Sequence, residues 1–160
     1  MDLEKIVVIL NLQVPQSVKQ LCATLGHTGY YRKFIKSYTQ ITTPMEQLLK
    51  KDATYCWNEE CNKSLEMLKE NMASAPILVF PKWDIEFHVH VDASRIALGA
   101  VLTQPGVEGI DHPITFASHW LSKVESNYST TECEGLVMVY TLQKFHHYVL
   151  EGHFKMYTDH

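Results

Sequence analysis

Phe87, Val89 and Val91 alternate with His88, His90 and Asp92. A period of two puts the apolar set on one face of a strand and the polar set on the other. Residues 97–102, Ala-Leu-Gly-Ala-Val-Leu, are continuously apolar and read as a second strand buried on both faces. Pro105 to Gly109 supplies a hairpin loop. Residues 113–118 read as a third strand, with Pro113 at its start, where no ladder donor is lost. The period then lengthens. Ser129 with Glu132 three residues on is a capping box for a long helix over 129–150, with Leu136, Val139, Tyr140 and Gln143 on one face and Gly152 closing it. Residues 153–159 alternate again as a fourth strand.

Before residue 75 the pattern is that of short helices. Ser17 and Gln20 form a capping box, and Gly26 fits a helix stop. Thr43, Pro44 and Glu46 have the N-cap, N1 and N3 chemistry of a second helix. Asn58 caps a third, in which Cys61, Leu65, Leu68 and Met72 recur at spacings of four, three and four. Ser74-Ala75-Pro76 ends the helical part, and 77–81 is an extended connector with proline on both sides. The expected class is therefore mixed α/β: a helical segment over 1–75, then a mixed sheet with one long crossover helix over 76–160.

At 160 residues, 46% hydrophobic and 20% charged, the chain reads as folded and soluble. No apolar run approaches the roughly 20 residues of a membrane span, and the acidic start Met1-Asp2-Leu3-Glu4 does not resemble a signal peptide. Cys22, Cys56, Cys61 and Cys133 make no CxxC pair, which argues against a zinc ribbon or disulfide framework and for reduced, semi-buried thiols in an intracellular protein. The net charge of −4 does not advertise nucleic-acid binding, but it is unevenly spread. Up to Lys51 seven basic residues stand against three acidic ones, a net of +4, which leaves −8 for the rest. Two readings stand: a basic front for phosphates with an acidic back for metal ions, or two ordinary solvated faces. The same choice applies to Tyr30, Tyr31, Arg32, Lys33 and Lys36, whose interleaved aromatics and bases suit either a nucleic-acid backbone or a small core with solvated cations.

The topology draws carboxylates together. Three hairpin-linked strands set the first and third running the same way, and a right-handed helical crossover returns a fourth strand parallel to them. Asp92 and Asp159 then end strands one and four, and Glu134 lies near the start of the helix, at the edge where open sheets place their sites. Clustered carboxylates repel unless cations lie between them; two Mg²⁺ roughly 4 Å apart, with Mn²⁺ as substitute, suit phosphate hydrolysis. The alternative is that all three are merely exposed element ends.

Several segments resemble the reverse-transcriptase/ribonuclease H region of gypsy-type LTR retrotransposon Pol polyproteins. They are Leu25-Gly26-His27-Thr28-Gly29-Tyr30-Tyr31-Arg32-Lys33-Phe34-Ile35, Val91-Asp92-Ala93-Ser94, Gly99-Ala100-Val101-Leu102, Pro113-Ile114-Thr115-Phe116-Ala117-Ser118, Asn127-Tyr128-Ser129-Thr130-Thr131-Glu132 and Tyr157-Thr158-Asp159-His160. The resemblance covers nearly the whole chain in order. It implies a thumb/connection segment over 1–75 and a ribonuclease H-like domain over 76–160. It also implies metal-binding roles for Asp92, Glu134 and Asp159, an RNA–DNA hybrid as substrate, the remainder of the polyprotein as partner, and a cytoplasmic, virus-like-particle setting. Cys133-Glu134-Gly135 departs from the family, which usually has Lys-Glu-Cys there, although Glu134 is kept. The family's later helix, fifth strand and fourth ligand, and its polymerase site, are not in this sequence, and a weakened nuclease is therefore expected.

Two other functions compete. One is a nucleic-acid-binding or assembly remnant without catalysis. The other is a different metallohydrolase, since His88-x-His90-x-Asp92 resembles the start of the metallo-β-lactamase His-x-His-x-Asp-His signature, which position 93, an Ala, breaks.

Overall fold

The computed structural model describes residues 7, 10–74, 78–106, 109–150 and 152–158. The chain divides into two compact units, 1–75 and 76–160. The first is helical: α1 (Val18–Tyr30), a 3₁₀ turn (Arg32–Phe34), α2 (Tyr38–Gln47) and α3 (Glu59–Ala73). Their apolar stripes meet in one core of Leu21, Ile35, Tyr38, Ile41, Met45, Cys61, Leu65, Leu68 and Met72. The Asn58 side chain accepts the Cys61 N–H at 2.9 Å, and the predicted stripe of α3 is the buried one.

Two helix boundaries differ from expectation. The Ser17 hydroxyl accepts the Gln20 N–H, but the Gln20 side chain turns to the Gln16 N–H, and the helix continues through Gly26 to Tyr30. It continues because Leu21, Thr24 and Thr28 keep one face buried, and the Thr28 hydroxyl is tied to the Thr24 carbonyl and the Tyr38 hydroxyl. Thr43 and Pro44 do not start a helix; they lie inside α2. Tyr38, Ile41, Thr42 and Met45 form a buried i, i+3, i+4, i+7 stripe across the proline, and burying that face outweighs the proline's cost of about 3 kcal/mol. The Thr43 hydroxyl instead donates back to the Thr39 carbonyl.

The second unit is a four-stranded sheet of β1 (Phe87–Ala93), β2 (Ala97–Pro105), β3 (Asp111–Trp120) and β4 (Phe154–Tyr157), in the order β3-β2-β1-β4, with α4 (Thr130–Val149) between β3 and β4. β1–β2 and β2–β3 are antiparallel and β1–β4 is parallel, the mixed topology that two hairpins and a helical crossover predict. Ser129 and Glu132 form the complete capping box, each side chain accepting the other residue's N–H. Helix α4 covers the face carrying Phe87, Val89, Val91, Leu98, Ala100 and Leu102.

The helix is rotated by one residue from the predicted face. Cys133, Val137, Thr141, Phe145 and Val149 are buried, with Leu136 and Tyr140 on the flank, whereas Val139 and Gln143 are exposed. Because α4 lies on one side only, β2 is not buried on both faces: Gly99 and Val101 are partly open on the far side. Pro113 is the third residue of β3, tolerated because β3 is an edge strand; its carbonyl accepts the Val79 N–H at 3.0 Å. Residues 75–77, at the expected end of the helical part and the start of the connector, and the end of the expected fourth strand, including Asp159, lie outside the described residues. The four cysteines are free; Cys61 and Cys133 are buried, but Cys22 and Cys56 are exposed rather than semi-buried. No helix among the described residues is long and apolar enough to cross a membrane.

Between β1 and its preceding turn sits a polar clamp that the pattern did not signal. Gln104, on β2 and buried, accepts the Lys82 N–H at 2.9 Å and donates to the carbonyls of Lys82 at 2.7 Å and Ile85 at 2.8 Å.

Candidate functional site

At the C-terminal end of β1 the chain opens into a cavity of about 470 Å³. Asp92, the penultimate residue of β1, lines it, with Ser94 and Arg95 from the following turn. Glu134 reaches it from the first turns of α4, and Thr158 from just beyond β4. Each element delivers its group for a local reason. In β1 the period of two turns Asp92 away from the core once Phe87, Val89 and Val91 are buried. In α4, Glu132 is held by the capping box and Cys133 faces the core, which leaves Glu134 half-buried at the rim. The Ser94 hydroxyl donates to the Ala97 carbonyl at 2.8 Å and accepts the Ala97 N–H at 3.1 Å, so the turn below Asp92 is fixed. Of the three predicted carboxylates, Asp92 and Glu134 therefore share one cavity; Asp159 lies outside the described residues, one position after Thr158. Arg95 was not among the predicted residues.

A second polar cluster occupies the sheet face opposite α4. Asp111 reaches from β3 across β2 to β1. Its Oδ2 lies 2.9 Å from His88 Nδ1, 2.9 Å from His90 Nε2 and 2.9 Å from the donating Thr103 hydroxyl; Oδ1 lies 3.0 Å from His88 Nδ1. Burial raises the Asp111 pKa, but the hydrogen bonds from His90, His88 and Thr103 together outweigh it and hold the carboxyl below its ordinary range. The Tyr157 ring stacks on His90 with centroids 4.8 Å apart, and Glu86 bridges Lys155 at 2.7 Å and His88 Nε2 at 3.7 Å. The alternation of His88 and His90 was legible as one face. Asp111 was not, because a register shift at Leu102/Thr103 decides which way it points.

The predicted basic and aromatic residues lie together at one corner of the helical unit. Tyr30 ends α1, 73% exposed, with its ring edge-on to Tyr31. Tyr31 and Phe34 are half-buried and Ile35 is buried. Arg32, Lys33 and Lys36 are exposed, with Lys33 Nζ 5.2 Å above the Phe34 ring. The segment thus places Ile35 in the core, Tyr31 and Phe34 partly buried beside it, and Tyr30 and the cations in solvent.

A mixed sheet in this strand order, one long helix against it and a polar cavity at the end of the first strand describe a ribonuclease H-like α/β domain. The chain belongs to the RNase H-like domains found in reverse transcriptase, whose family model matches residues 57–156. Among retrotransposon polyproteins it is 40% identical over 157 residues to the retrovirus-related Pol polyprotein from transposon 297 of Drosophila melanogaster, covering 98% of this chain and 14% of that protein. It is 36% identical to that from transposon opus of the same species, over 99% of the chain and 17% of the relative. To the transposon Tf2-3 polyprotein of Schizosaccharomyces pombe it is 34% identical, over 98% and 12%. The chain thus spans less than a fifth of these relatives. The same fold occurs in the foamy viral protease-reverse transcriptase dRH solved with double-stranded DNA (TM-score 0.85, 22% identity, 99% of this chain and 28% of that one). It also occurs in the complex of that enzyme with an RNA/DNA hybrid (TM-score 0.82, 22% identity, 99% and 21%).

Proposed function

We propose that the cavity at the end of β1 is a ribonuclease H site, in which Asp92, Glu134 and Asp159 serve metal-dependent hydrolysis of the RNA strand of RNA–DNA hybrids. The observation that carries this reading is the meeting of Asp92 and Glu134, from two separate elements, at one cavity beside Thr158. Hard carboxylate oxygens fit Mg²⁺, or Mn²⁺ in its place. When bound, the ion supplies positive charge against the scissile phosphate and eases ionisation of the attacking water. The chain's own groups hold and orient: Asp92 and Glu134 present oxygens from a fixed strand end and a capped helix, and Arg95 adds a cation at the rim for a phosphate oxygen. On this reading residues 1–75 are the thumb/connection segment, and Tyr30, Tyr31, Arg32, Lys33 and Lys36 contact the hybrid's backbone. The basic corner also suits a catalytically inert nucleic-acid-binding remnant, the second reading.

The test is cleavage of a labelled hybrid in Mg²⁺ by the chain and by Asp92→Asn. Losing a ligand that supports several kcal/mol of charge stabilisation should cost on the order of 10²-fold or more in rate, with hybrid binding retained. Binding without turnover by the unaltered chain selects the inert reading. Cleavage that survives both Asp92→Asn and Glu134→Gln rejects the site.

A further inference from the structure

The cluster on the open sheet face is not used by the nuclease reading, and its donor set is of a different kind. Asp92 and Glu134 offer only hard oxygens. His88 and His90 offer two imidazole nitrogens from alternate positions of β1, and Asp111 adds one carboxylate from β3. The candidate ligand atoms all lie within 4.8 Å of one another. Two nitrogens and one oxygen is the donor set of borderline ions such as Zn²⁺, and three protein ligands leave a coordination position open.

We infer that His88, His90 and Asp111 bind a divalent transition-metal ion of the Zn²⁺ class, cross-linking β1 to β3 over the face of β2.

The distances fit such an ion. Metal–ligand bonds of about 2.0–2.1 Å in a tetrahedron put neighbouring ligand atoms about 3.3–3.4 Å apart. Both nitrogens stand 2.9 Å from Asp111 Oδ2, so seating an ion widens those two gaps by a few tenths of an ångström, and no two ligand atoms are farther apart than 4.8 Å. The arrangement is also awkward as a hydrogen-bond cluster alone. Three donors converge on the single oxygen Oδ2, and His88 Nδ1 lies almost equally far from both carboxylate oxygens. One ring N–H serves one acceptor well, whereas an ion between the rings and the carboxylate meets all three groups at once.

The surroundings hold the ligands as metal sites do. A ligating histidine usually directs its other nitrogen to a carboxylate, which fixes the tautomer. His88 Nε2 faces Glu86 Oε2 across 3.7 Å, an ion-pair contact longer than a hydrogen bond, and Glu86 is anchored by Lys155 at 2.7 Å. Thr103 donates to Asp111, and Tyr157 stacks flat on His90, with an interplanar angle of 15°. Each ligand thus has its own support. The side chains are only partly buried, at 16% exposure for His88, 25% for Asp111 and 42% for His90, which leaves an ion a way in.

Calorimetric titration of the 160-residue chain with ZnCl₂, after stripping of metal, tests this. The exposed Cys22 and Cys56 are replaced by Ser throughout so that thiolates do not contribute. Binding of one Zn²⁺ per chain is expected. His90→Gln and Asp111→Asn should each weaken it by at least about 100-fold, since even supporting residues are worth 10–100-fold. Both variants should fold, because His90 is open to solvent and Asn at 111 still accepts from Thr103; circular dichroism checks this. Asp92→Asn and Glu134→Gln should leave Zn²⁺ affinity unchanged, so failure of the nuclease reading and failure of this one are distinguishable. Co²⁺ bound in place of Zn²⁺ should show the intense visible absorption of a four-coordinate site and lose it in His90→Gln. The inference is overturned by absent stoichiometric binding, by binding that survives His90→Gln and Asp111→Asn in folded protein, or by binding that Asp92→Asn abolishes.

Discussion

Removing the Gln104 amide should destabilise the sheet unit by about 2–3 kcal/mol. Gln104 makes three hydrogen bonds to the turn before β1, one with Lys82 N–H, one with Lys82 C=O and one with Ile85 C=O. At about 1 kcal/mol net for each, the set is worth about 3 kcal/mol. Two facts lower that figure. The Lys82 carbonyl keeps the Ile85 N–H at 3.2 Å, and Lys82 is exposed, so water regains part of the loss. Gln104→Ala removes the bonds and also leaves a void, whereas Gln104→Met removes the bonds and nearly keeps the volume. Comparing the two separates hydrogen bonding from packing. Urea denaturation followed by the amide signals of Val89 and Leu102 reads the sheet unit on its own. For a unit of this size the expected loss is about 4–8 °C in Tm per kcal/mol, so about 8–24 °C in a parallel melt. If Gln104→Met unfolds within about 0.5 kcal/mol of the unaltered chain, the turn is not held by this amide and the reasoning fails.

Gly26→Ala should stabilise the helical unit by about 1 kcal/mol, because Gly26 is inside α1 with open space where an alanine methyl would sit. A loss of stability in urea denaturation would instead mean that Gly26 adopts the left-handed backbone of a helix stop. Burial raises the Tyr38 pKa above its ordinary value, against the lowering effect of its hydrogen bond with Thr28. The folded pKa lies above the unfolded one, so this contribution is complete below about pH 10 and is lost as pH rises through the folded value. Alkaline unfolding followed by tyrosinate absorbance should therefore show steeper loss of the helical unit above pH 10 than in Tyr38→Phe; identical curves would exclude Tyr38 as the titrating group.

The sequence reveals most where local chemistry and long-range packing agree. The alternation of Phe87, Val89 and Val91 became the buried face of β1, Asn58 and the Ser129/Glu132 pair became working caps, and the helical crossover set β4 parallel to β1. Where they conflict, packing wins. Gly26 and the Thr43-Pro44 pair carry the local signals of helix ends, yet both lie within helices whose buried stripes run past them. The rotation of α4 is set by the shape of the sheet it covers, which apolar spacing alone leaves open by one residue. In the candidate nuclease site, the ends of elements were legible because topology fixes them. The His88, His90 and Asp111 cluster was only half legible: a period of two pairs the histidines, but Asp111 joins them through the β2–β3 register shift, a tertiary fact.

β4 is four residues long, mostly exposed and, among the described residues, pairs with β1 alone. Such a strand can detach in a sub-global opening that leaves the other three strands and α4 intact. Its backbone amides should exchange with solvent deuterium well before those of β1 and β2. Each detachment would withdraw Thr158 from the cavity and lift Tyr157 off His90 in the same event. The fraction of molecules with both polar sites fully assembled is therefore set by how often this strand lets go, and global unfolding experiments will not see it.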